Sequence, residues 1–311
     1  LKLHVSIHEK DFFQIEFNPK DITGIMFDQF KLDVRNSFNH FSKGVKLENI
    51  TKGRKGAVLT HGYKEVHSVI RTTTPYKNPP QMIPKSYYAP LIEIHNFIRD
   101  QMGYANAKMF NNAMVEVYDP RYRTMGYHTD QMLDLEPNSF ICIFSCYEFN
   151  SNSKTDWRKL IIKDKDSQEE FEIDLEHNSC VVFHTATNKH MNHKIILDSN
   201  LALYRWLGIT LRVSQSYILS LGSEKYLCKN PFNTYGKPSI VLTMATDEQK
   251  KQYYKLKGKE NREKNFEWPE ISYTISPSDL MKPIGMDPDD QISENETSEN
   301  QTLITSSSTP L

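Results

Sequence analysis

Residues 113–120 read Ala113-Met114-Val115-Glu116-Val117-Tyr118-Asp119-Pro120, and the fold follows from how that stretch alternates. Successive side chains of an extended chain point to opposite faces. Ala113, Val115 and Val117 therefore share one face, Met114, Glu116 and Tyr118 share the other, and Asp119-Pro120 ends the run as a turn. The same period recurs at 140–147, 159–162, 171–175, 179–183, 193–197 and 206–213. Turn signals fall between these runs at Glu136-Pro137-Asn138, at 164–167 and at Asp198-Ser199-Asn200. Short strands at this spacing predict a mainly β chain with flanking helices, built as an antiparallel sandwich or barrel.

Upstream, 3–7 and 12–17 also read as strands, and 71–88 is a Pro-rich ordered loop. Apolar residues at 91, 92, 94, 97, 98 and 102 have the spacing of an amphipathic helix. Downstream, 246–264 is charged and helical in pattern, with a basic run that reads as a solvated face. From about 285 onward Ser, Thr, Asn and Glu leave almost nothing to bury, which predicts a disordered tail.

The bulk numbers exclude more than they assign. Apolar residues make up 38% of the 311, enough for a sizeable core. Net charge is −1, but 281–311 holds six acidic residues against Lys282, so the body is mildly basic, near +4. That is short of the strongly basic face of a dedicated nucleic-acid binder. Cys142, Cys146, Cys180 and Cys228 form no C-x-x-C pair and read as buried small hydrophobes in a reducing compartment, which points to the cytoplasm or nucleus. No apolar stretch approaches the roughly 20 residues of a membrane helix, and no signal peptide is visible. A phosphate-binding G-x-x-x-x-G-K-[ST] loop is absent.

The chemistry begins at His128-Thr129-Asp130. On a strand, residues i and i+2 face one way, so imidazole and carboxylate converge on one ion. A second histidine is needed. His193 opens an apolar strand and is favoured; His190, three residues earlier in a polar run, is the alternative. Two histidines and a carboxylate bind a metal on one side and leave three positions open. Arg212, with Thr210 and Ser214 on the same face of the last strand, offers a fork for a carboxylate.

H-x-D, a histidine 65 residues later and an Arg-x-Ser strand together resemble the Fe(II)/2-oxoglutarate dioxygenases, closest in flavour to the AlkB-like members. Tyr118-Asp119-Pro120, ten residues before His128, is similar to the Tyr-x-Pro turn of those proteins, and 175–183 is similar to the turn and strand before their distal histidine. The resemblance covers 84–216 and implies a double-stranded β-helix (jelly roll). It implies Fe(II) on His128, Asp130 and His193, with 2-oxoglutarate and O2 as co-substrates. Arg212, Ser214, Tyr118 and Thr210 would hold the 2-oxoglutarate. Residues 1–83 would be an N-terminal extension and lid region, 217–284 a mixed, helical extension and 285–311 a tail.

The implied reaction hydroxylates or oxidatively demethylates a substrate and converts 2-oxoglutarate to succinate. The substrate is open, with modified nucleic acid, a protein side chain and a small molecule all in play; Arg71, Tyr76 and Tyr87 of the Pro-rich loop could touch a base or a peptide. Arg205 and Arg212 are seven apart, where AlkB-like proteins carry two arginines six apart. Trp206, Gly208 and Glu116 also stand where that pattern has other residues, which puts AlkB-type repair in doubt. A non-catalytic jelly-roll binding module and a zinc hydrolase on the same three residues remain as other classes. Oligomeric state is not legible.

Overall fold

The computed structural model describes residues 3–8, 12–17, 26–149, 154–229 and 240–286; the predicted tail lies almost wholly outside them. All seven alternating runs of the 113–213 region are strands. They divide between two antiparallel sheets that face each other. The larger sheet runs, in spatial order, Leu3–His8, Phe12–Phe17, Met26–Lys31, Ser179–His184, Phe140–Tyr147, Trp206–Arg212, Asn112–Tyr118, Arg54–Thr60 and Glu48–Thr51. Gln81–Met82 adds to Arg54–Thr60 in parallel. The smaller sheet runs Glu170–Leu175, Arg158–Asp164 and Met191–Ile196. Its edge is extended by the H-x-D segment through isolated bridges, Thr124 to Ile196 and His128 to His193. This is the jelly roll that the sequence resemblance implies. The main sheet also takes in three strands from 26–60, upstream of residue 84.

Each face of the large sheet has its own core, because alternation sends alternate residues to opposite sides. Between the sheets pack Ile141, Ile143, Tyr147, Leu160, Ile162, Val181, Phe183 and Trp206. On the outer face Cys142, Phe144, Leu207, Ile209 and Leu211 pack under Phe41, Tyr87, Leu91, Ile94 and Ile98. Those last three lie on the predicted amphipathic helix, which runs Tyr88–Asn96 and continues as a wider turn over Phe97–Gln101. Phe144 stands edge-on to Phe41, with ring centroids 4.9 Å apart. All four cysteines are free and buried. Among the described residues no helix is long and apolar enough to cross a membrane.

The C-terminal extension returns to the jelly roll. Helix Asp247–Glu260 starts at a capping box: the Thr246 hydroxyl accepts from Gln249 N, and the Gln249 side chain accepts from Thr246 N. Its far end is not a solvated face. Lys257 and Glu260 are buried and paired at 2.7 Å, and together they grip the H-x-D segment.

Candidate metal centre

The smaller sheet and its edge place the three predicted ligands together. His128 N donates to His193 O at 3.0 Å and His193 N to His128 O at 2.8 Å, so the two histidines are a directly paired couple on adjacent strands. Their rings lie 4.4 Å apart, centroid to centroid, on the inner face. Asp130 comes two residues after His128, and its Oδ1 is 3.8 Å from Nε2 of each imidazole. One donor atom from each residue lies within 4.8 Å of the others, a set that one ion can gather. His190 ends the helix Thr185–His190 and is not part of this cluster.

The protonation states suit a cation. His128 Nδ1 donates to Gly126 O at 3.1 Å, which leaves Nε2 as a free lone pair. Burial pushes the His128 imidazole below its ordinary value, against the pull of Asp130. Burial and the neighbouring His128 push His193 down to about 3, so both rings are neutral. Burial works against the Asp130 charge, but the Arg212 guanidinium outweighs it and holds the carboxyl below its ordinary range. Two neutral imidazoles and one carboxylate, with the pocket side open, fit Fe(II).

The segment carrying these ligands is braced from several sides. Asp130 N donates to Asn188 Oδ1 (2.9 Å), and Asn188 Nδ2 donates to Asp130 O (2.7 Å). Thr129 N donates to Asn261 Oδ1 at 3.1 Å, and Lys257 Nζ donates to Thr129 O. Glu260 Oε1 accepts from Met132 N (2.8 Å) and from the Trp268 indole (2.7 Å). No sequence signal marked this clamp, since a Lys and a Glu three apart on a charged helix read as solvent-facing.

Arg212 is on the pocket, but its partner is the metal-binding carboxylate. Its Nε and Nη2 both donate to Asp130 Oδ2, at 2.9 and 2.8 Å, leaving Oδ1 turned toward the histidines. The other three residues expected around 2-oxoglutarate are not among those lining the pocket beside the triad, although Thr210 shares the inward face of its strand with Arg212. Ser214 is buried with its hydroxyl on Val69 O and Ser216 O, because the strand has ended and that hydroxyl closes the turn. Tyr118 is fully buried and donates to Glu116 Oε2 at 2.6 Å, at the end of the strand away from Arg212. Neither of these, nor Thr210, lines the pocket beside the triad. That pocket is walled by Arg54, Ile70, Thr72, Met114, Glu116 and Met125 together with the ligands and Arg212.

The loop residues Arg71, Tyr76 and Tyr87 are buried, as an ordered structural loop requires. Arg71 is 2% exposed, pairs with Asp134 through Nη2 (2.8 Å) and donates to Ile271 O, so it ties the loop to the C-terminal segment. Tyr87 donates to Phe41 O, and Tyr76 is 2% exposed.

Residues 49–212, more than half of the chain, match the family described as the 2OG-Fe(II) oxygenase superfamily. The chain belongs to this superfamily. As a 2OG-Fe(II) oxygenase it uses Fe(II), 2-oxoglutarate and O2, and it is a 2-oxoglutarate-dependent dioxygenase. Similar solved structures include a Pseudomonas putida prolyl-4-hydroxylase, at 12% identity and TM-score 0.38, over 61% of this chain and 94% of that one. Another is OsALKBH1, at 15% identity and TM-score 0.39, over 60% of this chain and 96% of that one. No curated protein matches the sequence.

Proposed function

We propose that this oxygenase hydroxylates a substrate C–H bond at a metal held by His128, Asp130 and His193, an outcome that becomes demethylation when the carbon is an N-methyl group. The convergence of the two neutral imidazoles and the Arg212-anchored carboxylate carries the reading. Bound Fe(II), 2-oxoglutarate and O2 supply the oxidising chemistry: the oxo acid is decarboxylated to succinate as the C–H bond is oxidised. The chain's own residues hold and orient. Arg212 keeps Asp130 Oδ2 occupied so that Oδ1 faces the histidines. The Gly126 carbonyl fixes the His128 tautomer. Thr72, Thr73 and Thr74 also line the pocket.

The pocket lining carries Arg54, Arg212 and Lys257 against Glu116 and Asp130, an excess of one positive charge before any metal is added. That balance favours an anionic co-substrate. Modified nucleic acid is the first substrate class to screen, with methylated peptides beside it. Burial of Arg71, Tyr76 and Tyr87 removes the stacking contacts expected for a base, and the residues of that loop that line the pocket are Thr72, Thr73 and Thr74. The test is succinate formation from 2-oxoglutarate on admitting air to Fe(II)-loaded protein, with His128→Ala, Asp130→Ala and His193→Ala alongside. Succinate from the parent and none from the three variants is the expected result. Loss of neither metal binding nor turnover in those variants would refute the assignment.

A further inference from the structure

Arg212 holds the metal-binding carboxylate of Asp130 and so stands at the metal end of the pocket, which leaves the far carboxylate of 2-oxoglutarate without a cation. A five-carbon diacid that met the metal through oxygens on its first two carbons would carry its other carboxylate three C–C bonds further along the pocket. The cation for it must therefore stand away from Asp130. Lys257 lines the pocket, but it is committed to Glu260 and to Thr129 O behind the ligands. Arg158 is buried behind the rings of Tyr118 and Trp206, 5.1 and 5.9 Å from their centroids, and donates to Tyr122 O and Asp119 O; it does not line the pocket. Arg54 remains.

Its surroundings are built for an anion. Cross-strand register sets Arg54 opposite Tyr118, which in turn lies opposite Trp206. The next row inward is Gly56, Glu116, Gly208 and Ser145. Its two glycines leave a notch that aromatic side chains enter. A Cβ on Gly56 would stand 2.9 Å from the Tyr76 hydroxyl, and one on Gly208 would stand 2.0 Å from the Trp206 indole. The Tyr76 hydroxyl, the Trp206 Nε1 and the Ser145 Oγ are all buried around this row without a hydrogen-bond partner. Buried donors of this kind cost about 1–3 kcal/mol each when left unpaired, and of the three the Tyr76 hydroxyl stands at Gly56, two residues along the strand from Arg54, where it can meet a ligand held by that arginine. Arg54 meets Glu116 on one oxygen only: Nε (2.7 Å) and Nη2 (2.5 Å) both reach Oε1. Tyr118 holds Oε2. A guanidinium has five N–H donors, so this arrangement leaves Arg54 the means to take a second carboxylate.

We propose that Arg54, reaching in from a strand upstream of the H-x-D motif, binds the far carboxylate of 2-oxoglutarate while still paired to Glu116, with the Tyr76 hydroxyl as a second donor. The inference rests on the oxygenase reading. It is tested on full-length protein loaded with Mn(II), by calorimetric titration with 2-oxoglutarate and with 2-oxopentanoate, which has the same length and no far carboxylate. Because Arg54→Ala alone would strand Glu116, the variant is the pair Arg54→Ala/Glu116→Gln. It is expected to bind 2-oxoglutarate about 10- to 100-fold more weakly, as loss of a charge-assisted contact predicts, and 2-oxopentanoate as the parent does. Glu116→Gln alone relieves a like charge and is expected to tighten 2-oxoglutarate selectively. Tyr76→Phe is expected to weaken it about threefold to tenfold. A double variant that binds 2-oxoglutarate like the parent, or loses both acids equally, overturns this assignment and leaves the oxygenase reading standing. A parent protein that binds neither acid overturns both.

Discussion

Arg212→Gln removes the two hydrogen bonds that fix Asp130 Oδ2, at 2.9 and 2.8 Å. The side chains of the pair are 7% and 5% exposed, so solvent screens little of their attraction. Removing one member of such a buried pair costs about 3–5 kcal/mol, because the other charge is left without its partner. For a folded body of this size each kcal/mol is worth about 2–4 °C, so the metal-free variant is expected to melt about 10 °C below the parent. The carboxylate also loses its fixed rotation, and removing a group that orients a metal ligand typically weakens the metal about 10- to 100-fold. At one Mn(II) concentration the stability gap should then widen by about 1–3 kcal/mol, since the variant gains less from the ion. Arg212→Lys keeps the charge without the fork and should fall between. The measurements are thermal melts with and without Mn(II) and a calorimetric Mn(II) titration. Unchanged melting and Mn(II) affinity, with only 2-oxoglutarate binding weakened, would show that Arg212 serves the oxo acid and that this reasoning is wrong.

Other perturbations reach other parts of the same architecture. Ending the chain before Asp247 keeps every residue of the family match but removes Lys257, Glu260 and Asn261, and equilibrium dialysis is expected to find no bound metal; full occupancy would show the clamp to be dispensable. Gly208→Ala drives a methyl into the Trp206 ring, so urea titration should show a loss of about 1–3 kcal/mol, with a shifted tryptophan emission; parental emission would mean that the indole does not overlie Gly208. Burial pushes the Asp279 carboxyl up from 3.8 to about 7, against the Thr274 hydroxyl and Arg71. A raised folded value means that stability from this group is full below about pH 4 and is lost as pH rises through about 7. The advantage of Asp279→Asn over the parent should therefore grow from pH 4 to pH 7 and then level, and a gap that is constant with pH would contradict that.

The strands and the ligands were legible because their signals are local. Alternation at 113–118 and 140–147 needs only neighbours, and His128 and Asp130 sit two apart on one strand. Arg212 was recognised as an inward cation for the same reason, since Ile209, Leu211 and Val213 take the other face. Its partner was not legible, because Asp130 lies 82 residues away and nothing local distinguishes an arginine that meets a ligand from one that meets a carboxylate. Arg71 and Tyr87 are ambiguous in the sequence on similar grounds, open to a structural or a recognition role. A Pro-rich loop with cationic and aromatic residues reads as a recognition surface, and only the packing of 271–273 and of Phe41 turns those side chains inward. Lys257 and Glu260 failed in the opposite direction: a helix of mostly charged residues hides two that neutralise each other in the interior. Arg54 was missed because a contact with Glu116, 62 residues further on, has no trace in composition.

The paired backbone bonds between His128 and His193 tie ligand geometry to strand register. Side chains on a strand alternate, so sliding the 124–128 edge by one residue along 191–196 would turn its imidazole from the interior to the surface and carry Asp130 with it. No partial version of the ligand set survives such a slip. The ion therefore acts as a proofreader of assembly as well as a reagent: it rivets only those molecules whose edge strand has docked in the one productive alignment. Once the protein is saturated with metal, bound metal per chain should track the correctly registered fraction, and adding metal during refolding should raise the yield of that alignment over its neighbours.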